Sequence, residues 1–409
     1  MPIYVLLERI LLFVIGLILF SQIVVIAISA IITNSRRNRP QRPNYGTFQP
    51  EISIYENNVK IYTYGMDLFH AMLRDIEAAK SLICLESFIW KNDQIGQEIK
   101  DALTRKAIDG VSVFVIFDGF ANLVVPSAFK RFPDPVHVIV YRSWRRIFDV
   151  FDPRRLARDH RKLLVIDRRI GYTGGYNIGH LYGEKWRDTH VRLEGSAAQN
   201  LYASFSDLWN ELAGRHSYPL APAAASIIPN IRLYENNPVQ FTFPIRSLYI
   251  DAIDLAGDHI YLTTPYFIPD RYVLRALIHA ARRGVNVLLI IPERSNHLLA
   301  DLLARTYFTK CLRDKIRVFL YQDAMIHAKT ATIDGHWTTV GTANLDRLSL
   351  IGNYEINMEF LDDTIAQCME IIFHNDLVYC RELQLSEWSH RPLLQKLGEL
   401  VLSPLWPFL

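Results

Sequence analysis

The hydrophobic pattern opens with one long run and continues in short blocks. From Ile10 to Thr33 no charge interrupts a stretch of mostly Ile, Leu, Val and Phe, longer than the roughly 20 residues a helix needs to cross a hydrocarbon core. This predicts a transmembrane anchor within residues 1–33. Asn38 to Pro50 carries Pro, Asn, Arg and Gly without periodicity, which predicts a linker over 34–50. Arg36, Arg37, Arg39 and Arg42 follow the run, whereas only Arg9, beside Glu8, precedes it. The side richer in basic residues stays in the cytoplasm, so a single pass through the cell (inner) membrane with a cytoplasmic body is expected. A signal peptide cleaved near Ala27 to Ala30 is the rival, disfavoured by the length of the run and its weakly basic start.

Beyond the linker, one plan occurs twice: an apolar strand, an amphipathic helix, then a second apolar strand introduced by Gly-Val. The parts are Ser81–Trp90, Gly96–Ala107 and Gly110–Asp118, then His259–Pro269, Arg271–Arg283 and Gly284–Pro292. Alternating strands and helices predict an α/β fold, a mixed sheet with helices on both faces in each half. The Ala/Pro-rich interval Gly214–Pro229 separates a first unit (51–213) from a second (230–388). An amphipathic tail over 389–409 places Leu393, Leu394, Leu397, Leu400 and Val401 at helical spacing, suited to a membrane interface or to docking on the second unit.

Composition adds limits. With 409 residues and 50% hydrophobic content, there is room for two ordinary domains. A net charge of +3 is too small for wrapping nucleic acid by bulk electrostatics, so no nucleic-acid partner is expected. Cys84, Cys311, Cys368 and Cys380 lie far apart without a C-x-x-C pair, and the 13 histidines include no H-E-x-x-H spacing. The expected chemistry needs neither metal nor cofactor.

That chemistry is carried by two matched ladders. From His160, Lys162 stands at +2, Asp167 at +7, Gly174 at +14, Asn177 at +17 and Asp188 at +28. From His327, Lys329, Asp334, Gly341, Asn344 and Glu355 stand at the same offsets without insertion or deletion. A lone histidine beside an apolar strand is more often structural, but a duplicated ladder has no such bland explanation. The strands Arg161–Ile166 and Ala328–Ile333 would begin at each motif, with His and Lys two apart and on one side.

A phosphodiester needs a nucleophile at phosphorus, a proton donor for the leaving oxygen, and cationic or hydrogen-bonding groups around the nonbridging oxygens. One neutral imidazole can attack while the other, protonated, donates to the leaving alkoxide. Lys162, Lys329, Asn177 and Asn344 would hold phosphoryl oxygens, and Asp188 and Glu355 would orient the imidazoles through their second ring nitrogen. Asp167 and Asp334 complete the catalytic motif, although at the end of each strand they are expected to brace strand and turn.

With both H-x-K-x4-D motifs, the following G-x-x-N, and the phrases "HRKLLVIDRRIGYTGGYNIG", "WRDTHVRLEG", "TTPYFIPD" and "GTANLD", the chain resembles the phospholipase D superfamily over about Asn57 to Trp388. Its nearest likeness is to bacterial cardiolipin synthases. The resemblance implies two pseudo-twofold-related α/β/α sandwich units sharing one site, no metal, and a phosphohistidine on His160 with His327 as the acid. For the synthase branch it implies that one phosphatidylglycerol donates its phosphatidyl group and another accepts it, giving cardiolipin and glycerol. Two departures stand near the pocket: Asp346-Arg347-Leu348-Ser349 replaces Asp-x-Arg-Ser, and Gly179-His180-Leu181-Tyr182 replaces Gly-Asp-Glu-Tyr.

Between Tyr141 and His160, Arg142, Arg145, Arg146, Arg154, Arg155 and Arg158 interleave with Trp144, Phe148 and Phe151. This suits an anionic membrane interface, though it also fits single-stranded nucleic acid or a solvated loop. Anchor, basic-aromatic segment and apolar tail together favour an anionic phospholipid substrate and phosphatidyl transfer. Phospholipid hydrolysis, a nuclease and a silent lipid-binding scaffold are the alternatives.

Overall fold

The computed structural model describes residue 31 and residues 48–142, 157–213, 218–223, 226–322, 324–392 and 396. The apolar run apart from Ile31, most of the linker and tail, and the centre of the basic-aromatic segment lie outside them. Among the described residues no helix is long and apolar enough to cross a membrane.

The first half contributes β1 (Glu51–Ile54), β2 (Asn57–Tyr62), β3 (Leu82–Ser87), β4 (Ser112–Asp118), β5 (Val136–Tyr141), β6 (Leu163–Ile166), β7 (Ile170–Gly174), β8 (Trp186–Arg187) and β9 (His190–Glu194). The second contributes β10 (Ile231–Asn236), β11 (His259–Thr263), β12 (Asn286–Pro292), β13 (Arg317–Tyr321), β14 (Met325–Ile326), β15 (Thr330–Ile333), β16 (Trp337–Gly341), β17 (Glu355–Leu361) and β18 (Cys380–Glu382). The sheet orders are β1-β2-β9-β7-β6-β3-β4-β5 and β10-β17-β16-β15-β11-β12-β13-β18. Setting aside the extra edge strands β1 and β18, the two orders correspond strand for strand. In each sheet the three-strand block after the helical crossover is parallel and the remainder antiparallel.

Helices α1 (Gly65–Ala78), α2 (Gln94–Ile108), α3 (His180–Glu184) and α4 (Ala197–Ala213) belong to the first half. The second has α5 (Pro244–Leu255), α6 (Arg271–Arg283), α7 (Leu298–Arg313), α8 (Arg347–Ile351), α9 (Asp363–Leu377) and α10 (Leu385–Ser389). The crossover helices start and stop on local chemistry. Asp93 caps α2 by accepting from Gly96 N, and Asp270 caps α6 by accepting from Tyr272 N and Val273 N. Gly284 ends α6 at φ 101°, a left-handed conformation that glycine adopts without penalty.

Helices α1 and α2 pack on the outer face of the first sheet, and α5, α6 and α7 on that of the second. Between the sheets, one apolar core joins Val191, Leu201 and Trp209 of the first half to Ile356, Met358 and Met369 of the second. The halves are therefore fused by burial, with helices α4 and α9 in the seam.

The motif strands differ from expectation in one respect. They begin at Leu163 and Thr330, after each His-x-Lys. The reason is that the histidine backbones pair across the seam: His160 N donates to Tyr354 O at 3.1 Å and His327 N to Arg187 O at 2.6 Å. The short β8–β14 pair and the Asp159–Tyr354 bridge are the two matching halves of that crossing.

Candidate active site

The crossing places each histidine beside a carboxylate of the opposite half. Glu355 and Asp188 follow Tyr354 and Arg187 in sequence, so the backbone bonds that hold the histidines also deliver the acids. His160 Nδ1 lies 2.9 Å from both Glu355 oxygens, and His327 Nδ1 lies 2.6 Å from Asp188 Oδ2. An Nδ1–H donated to a carboxylate leaves Nε2 with its lone pair toward the site. The orienting pairs expected from the ladder are thus formed between halves, never within one.

Lys162 Nζ donates to His160 O at 2.7 Å and sits over the Phe88 ring. Lys329 Nζ lies 2.7 Å from His327 Nδ1 and 3.1 Å from its Nε2, and also donates to His327 O. All four side chains are buried. Burial lowers the Lys162 ammonium to about 8 against the pull of Glu355 and Asp188, and lowers Lys329 to about 7. His160 is also lowered by burial, with Glu355 opposing, whereas burial and Lys329 together bring His327 down to about 3. Burial would raise both carboxylates, but Lys329 and the bond to His327 hold Asp188, and the bond to His160 with Lys162 holds Glu355, below the usual range. The site therefore holds two neutral imidazoles between two carboxylates and two lysines. Lys329 bears on His160 and Lys162 on His327, so the two motifs form one electrostatic site.

Asn177 and Asn344 are buried nearby. Asn177 Oδ1 accepts from Ile89 N at 3.3 Å, and Asn344 Nδ2 donates to Ser349 Oγ at 3.3 Å. Asn344 Oδ1 is buried without a hydrogen bond. Asp346 caps α8 by accepting from Ser349 N at 2.7 Å, so the altered Asp-Arg-Leu-Ser sequence keeps its serine against Asn344 and leaves Arg347 half-buried outside.

Asp167 and Asp334 stand where bracing of strand and turn was expected of them. Each lies at the far end of its motif strand, about 16 Å of extended chain beyond the lysine. Asp167 accepts from Lys80 N, Ser81 N, Ser81 Oγ and Leu82 N, and Asp334 from Gly257 N, Asp258 N and His259 N, all at 2.7–2.9 Å. Their carboxylates tie the motif strand to the start of β3 and of β11.

Other contributors were not singled out by the ladder. Thr342 Oγ1 donates to Glu355 Oε2 at 2.5 Å. Its counterpart is Gly175, where a Cβ would stand 1.9 Å from Asp188 Oδ1. Aromatic rings frame the imidazoles: Phe88 at 4.6 Å from His160, and Trp186 at 4.9 Å and Tyr266 at 6.2 Å from His327. A comparison of the halves at the residue after each ladder glycine marks Thr342, whereas nothing in the spacing marks the rings.

A family model described as "Cardiolipin synthase, PLD-like domain" matches residues 249–377. The major cardiolipin synthase of Bacillus subtilis is 33% identical over 376 residues, 87% of this chain and 76% of that protein. The chain belongs to the cardiolipin synthase family of the phospholipase D superfamily. A cardiolipin synthase of Clostridium perfringens is 31% identical over 390 residues, covering 88% of this chain and 79% of the relative. Among solved structures, the phosphatidylserine synthase of Haemophilus influenzae Rd KW20 superposes with a TM-score of 0.66 at 16% identity, over 92% of this chain and 96% of that one, a likeness of fold. Family membership accords with the two-unit α/β architecture and its shared seam.

Proposed function

We propose that this chain is a phosphatidyltransferase that makes cardiolipin from phosphatidylglycerol through a phosphohistidine. The observation that carries the reading is the crossed pairing of His160 with Glu355 and His327 with Asp188, which aims two imidazoles into one lysine-lined site. His160 is the nucleophile. No hydrogen bond among the described residues occupies its Nε2, while Lys329 stands against Nε2 of His327.

The phosphodiester anion settles between Lys162 and Lys329, with Asn177 and Asn344 beside it. Its negative charge offsets the burial and the Lys329 charge that keep His327 neutral, so His327 takes up a proton. His160 Nε2 attacks phosphorus, the P–N bond forms, the P–O bond to glycerol breaks, and His327 protonates the departing alkoxide. His327 then removes a proton from the hydroxyl of a second phosphatidylglycerol, whose oxygen attacks phosphorus as the P–N bond breaks. The uncharged N-terminal run supports a membrane location with the catalytic body on its cytoplasmic side.

The test supplies purified full-length protein with phosphatidylglycerol in vesicles and separates the lipid products. Free glycerol with a four-chain lipid is expected. Phosphatidic acid alone would make the protein a hydrolase, and absence of turnover would remove the reading.

A further inference from the structure

A loop at the end of β4 is bolted to His160 from two directions. Asp118 accepts from Phe120 N and Ala121 N at 2.8 Å and from Asp159 N, the residue before His160, at 3.1 Å. Asn122 donates to Phe88 O and Asp118 O at 2.8 Å and accepts from Trp90 N at 2.9 Å. Phe88 packs edge-on against the His160 ring. What this loop touches is therefore fixed relative to the site.

Its outer side is apolar. Phe120, Leu123 and Val124 are 51%, 66% and 83% exposed, the densest run of exposed large apolar side chains among the described residues. Beside them opens a cavity of about 540 Å³, lined by Phe120, Leu123, Lys130, Arg131, Arg142 and Arg158 among others, with no carboxylate among the described residues of its lining. Arg158 stacks on the Phe120 ring at 3.8 Å, and its N–H donates to Asn353 Oδ1 at 3.0 Å. Asn353 N in turn donates to the carbonyl of Leu348, a 42% exposed residue of the second half. The rim thus runs across the seam.

Exposed apolar tips backed by the cations Lys130, Arg131 and Arg142 are what an anionic bilayer accommodates, with apolar groups below the headgroups and cations among them. Single-stranded nucleic acid fits less well. Leu123 and Val124 offer no face for base stacking, and Arg158 already covers that of Phe120.

We propose that the Phe120–Val124 rim, with Lys130, Arg131 and Arg142, docks on an anionic bilayer so that the loop bolted to His160 lies at headgroup depth. This rests on the lipid reading of the site, because a two-chain substrate can then present its phosphate while its chains stay in the membrane.

The experiment uses the full chain in vesicles of phosphatidylcholine with or without phosphatidylglycerol. Leu123→Cys carries an environment-sensitive fluorophore, and wild type labelled in parallel subtracts the native cysteines. Leu255→Cys is the control: it is 84% exposed and lies two residues before Gly257, whose N–H bonds Asp334 at the far end of the fold. Quenching at position 123 by lipid-borne nitroxide, in anionic vesicles and not at 255, is expected. The double variant Leu123→Ser/Val124→Ser should lose on the order of tenfold in turnover on vesicles and keep wild-type turnover in mixed micelles. A probe at 123 that stays in water, quenching indifferent to lipid charge, or undiminished vesicle turnover would overturn the proposal. Cardiolipin formed while that probe stays in water would sink the docking surface and leave the function standing. An inserted probe with no lipid product would do the reverse.

Discussion

The first-half and second-half motifs share a ladder but hold their histidines differently. His160 rests on both oxygens of Glu355, and Glu355 is itself held by the Thr342 hydroxyl. His327 rests on one oxygen of Asp188, where a glycine replaces that threonine, and its ring lies against Lys329. Two copies of one sequence pattern thus give one imidazole with an open Nε2 and one beside a potential proton donor. The two halves share a scaffold, and on the proposed reading these few contacts divide the labour between nucleophile and acid.

The largest effects should come from the histidines themselves. His160→Ala and His327→Ala are each expected to lower turnover of phosphatidylglycerol by 10⁴-fold or more, on the order of losing a nucleophile or its partner base. An activated nitrophenyl diester, whose leaving group needs no proton, separates them. Protein quenched in alkaline denaturant, where the P–N bond survives, should carry phosphohistidine in His327→Ala and none in His160→Ala; label surviving in the latter would reverse the assignment.

The carboxylates come next. Glu355→Gln and Asp188→Asn keep shape but lose the charge that fixes each tautomer, so falls of about 10²–10⁴-fold in kcat are expected. Because the pairs are crossed, Glu355→Gln should slow labelling of His160 by the activated diester, while Asp188→Asn should leave it nearly intact. At the position where the halves diverge, Gly175→Ala must displace Asp188 and should cost roughly 100-fold, whereas Thr342→Val removes one hydroxyl and should cost roughly tenfold. Equal effects would mean that the divergence has no bearing on catalysis.

These contacts mark where the sequence was readable. Periodicity and the Gly-Val entries to each second strand exposed the strand–helix–strand repeat, since such patterns are local. The ladder placed Asp188 and Glu355 beside imidazoles for the same reason. Which imidazole each serves depends on Tyr354 and Arg187 pairing across the seam, a contact between residues nearly 200 and 140 positions apart that no local spacing encodes. The strand starts were misjudged on that account, because residues bonded to the other half still alternate like strand. Phe88, Trp186 and Tyr266 escaped because aromatic residues beside strands are ordinary core until a fold turns them inward.

The lysines make the comparison sensitive to pH. Lys329 loses its proton near 7 and Lys162 near 8 in the free protein, so kcat/KM, which reports free enzyme and substrate, should fall as pH rises, first through the second-half motif. Stability runs the other way. Each lysine has a folded value below its unfolded one, so the unfolded chain binds more protons between those values, and raising pH from about 7 toward 10.5 favours the folded state. Parallel declines of kcat/KM and melting temperature over this window would show that the alkaline loss is unfolding.

The smallest effects on chemistry belong to the motif aspartates. Asp167 and Asp334 have positive φ and accept several backbone N–H groups at the start of a neighbouring strand, contacts that hold both carboxyls below their ordinary range even though burial would raise them. Asp167→Ala and Asp334→Ala should each lose about 2 kcal/mol of stability, read by denaturant unfolding, while folded protein keeps kcat within a factor of about three. Their depressed folded values mean that this stabilisation is present above the ordinary aspartate range and is lost as pH falls through the folded value, so variant and wild type should converge in acid. A hundredfold loss of kcat at unchanged stability would place these carboxylates in the reaction, and the far end of the motif strand would no longer count as scaffold.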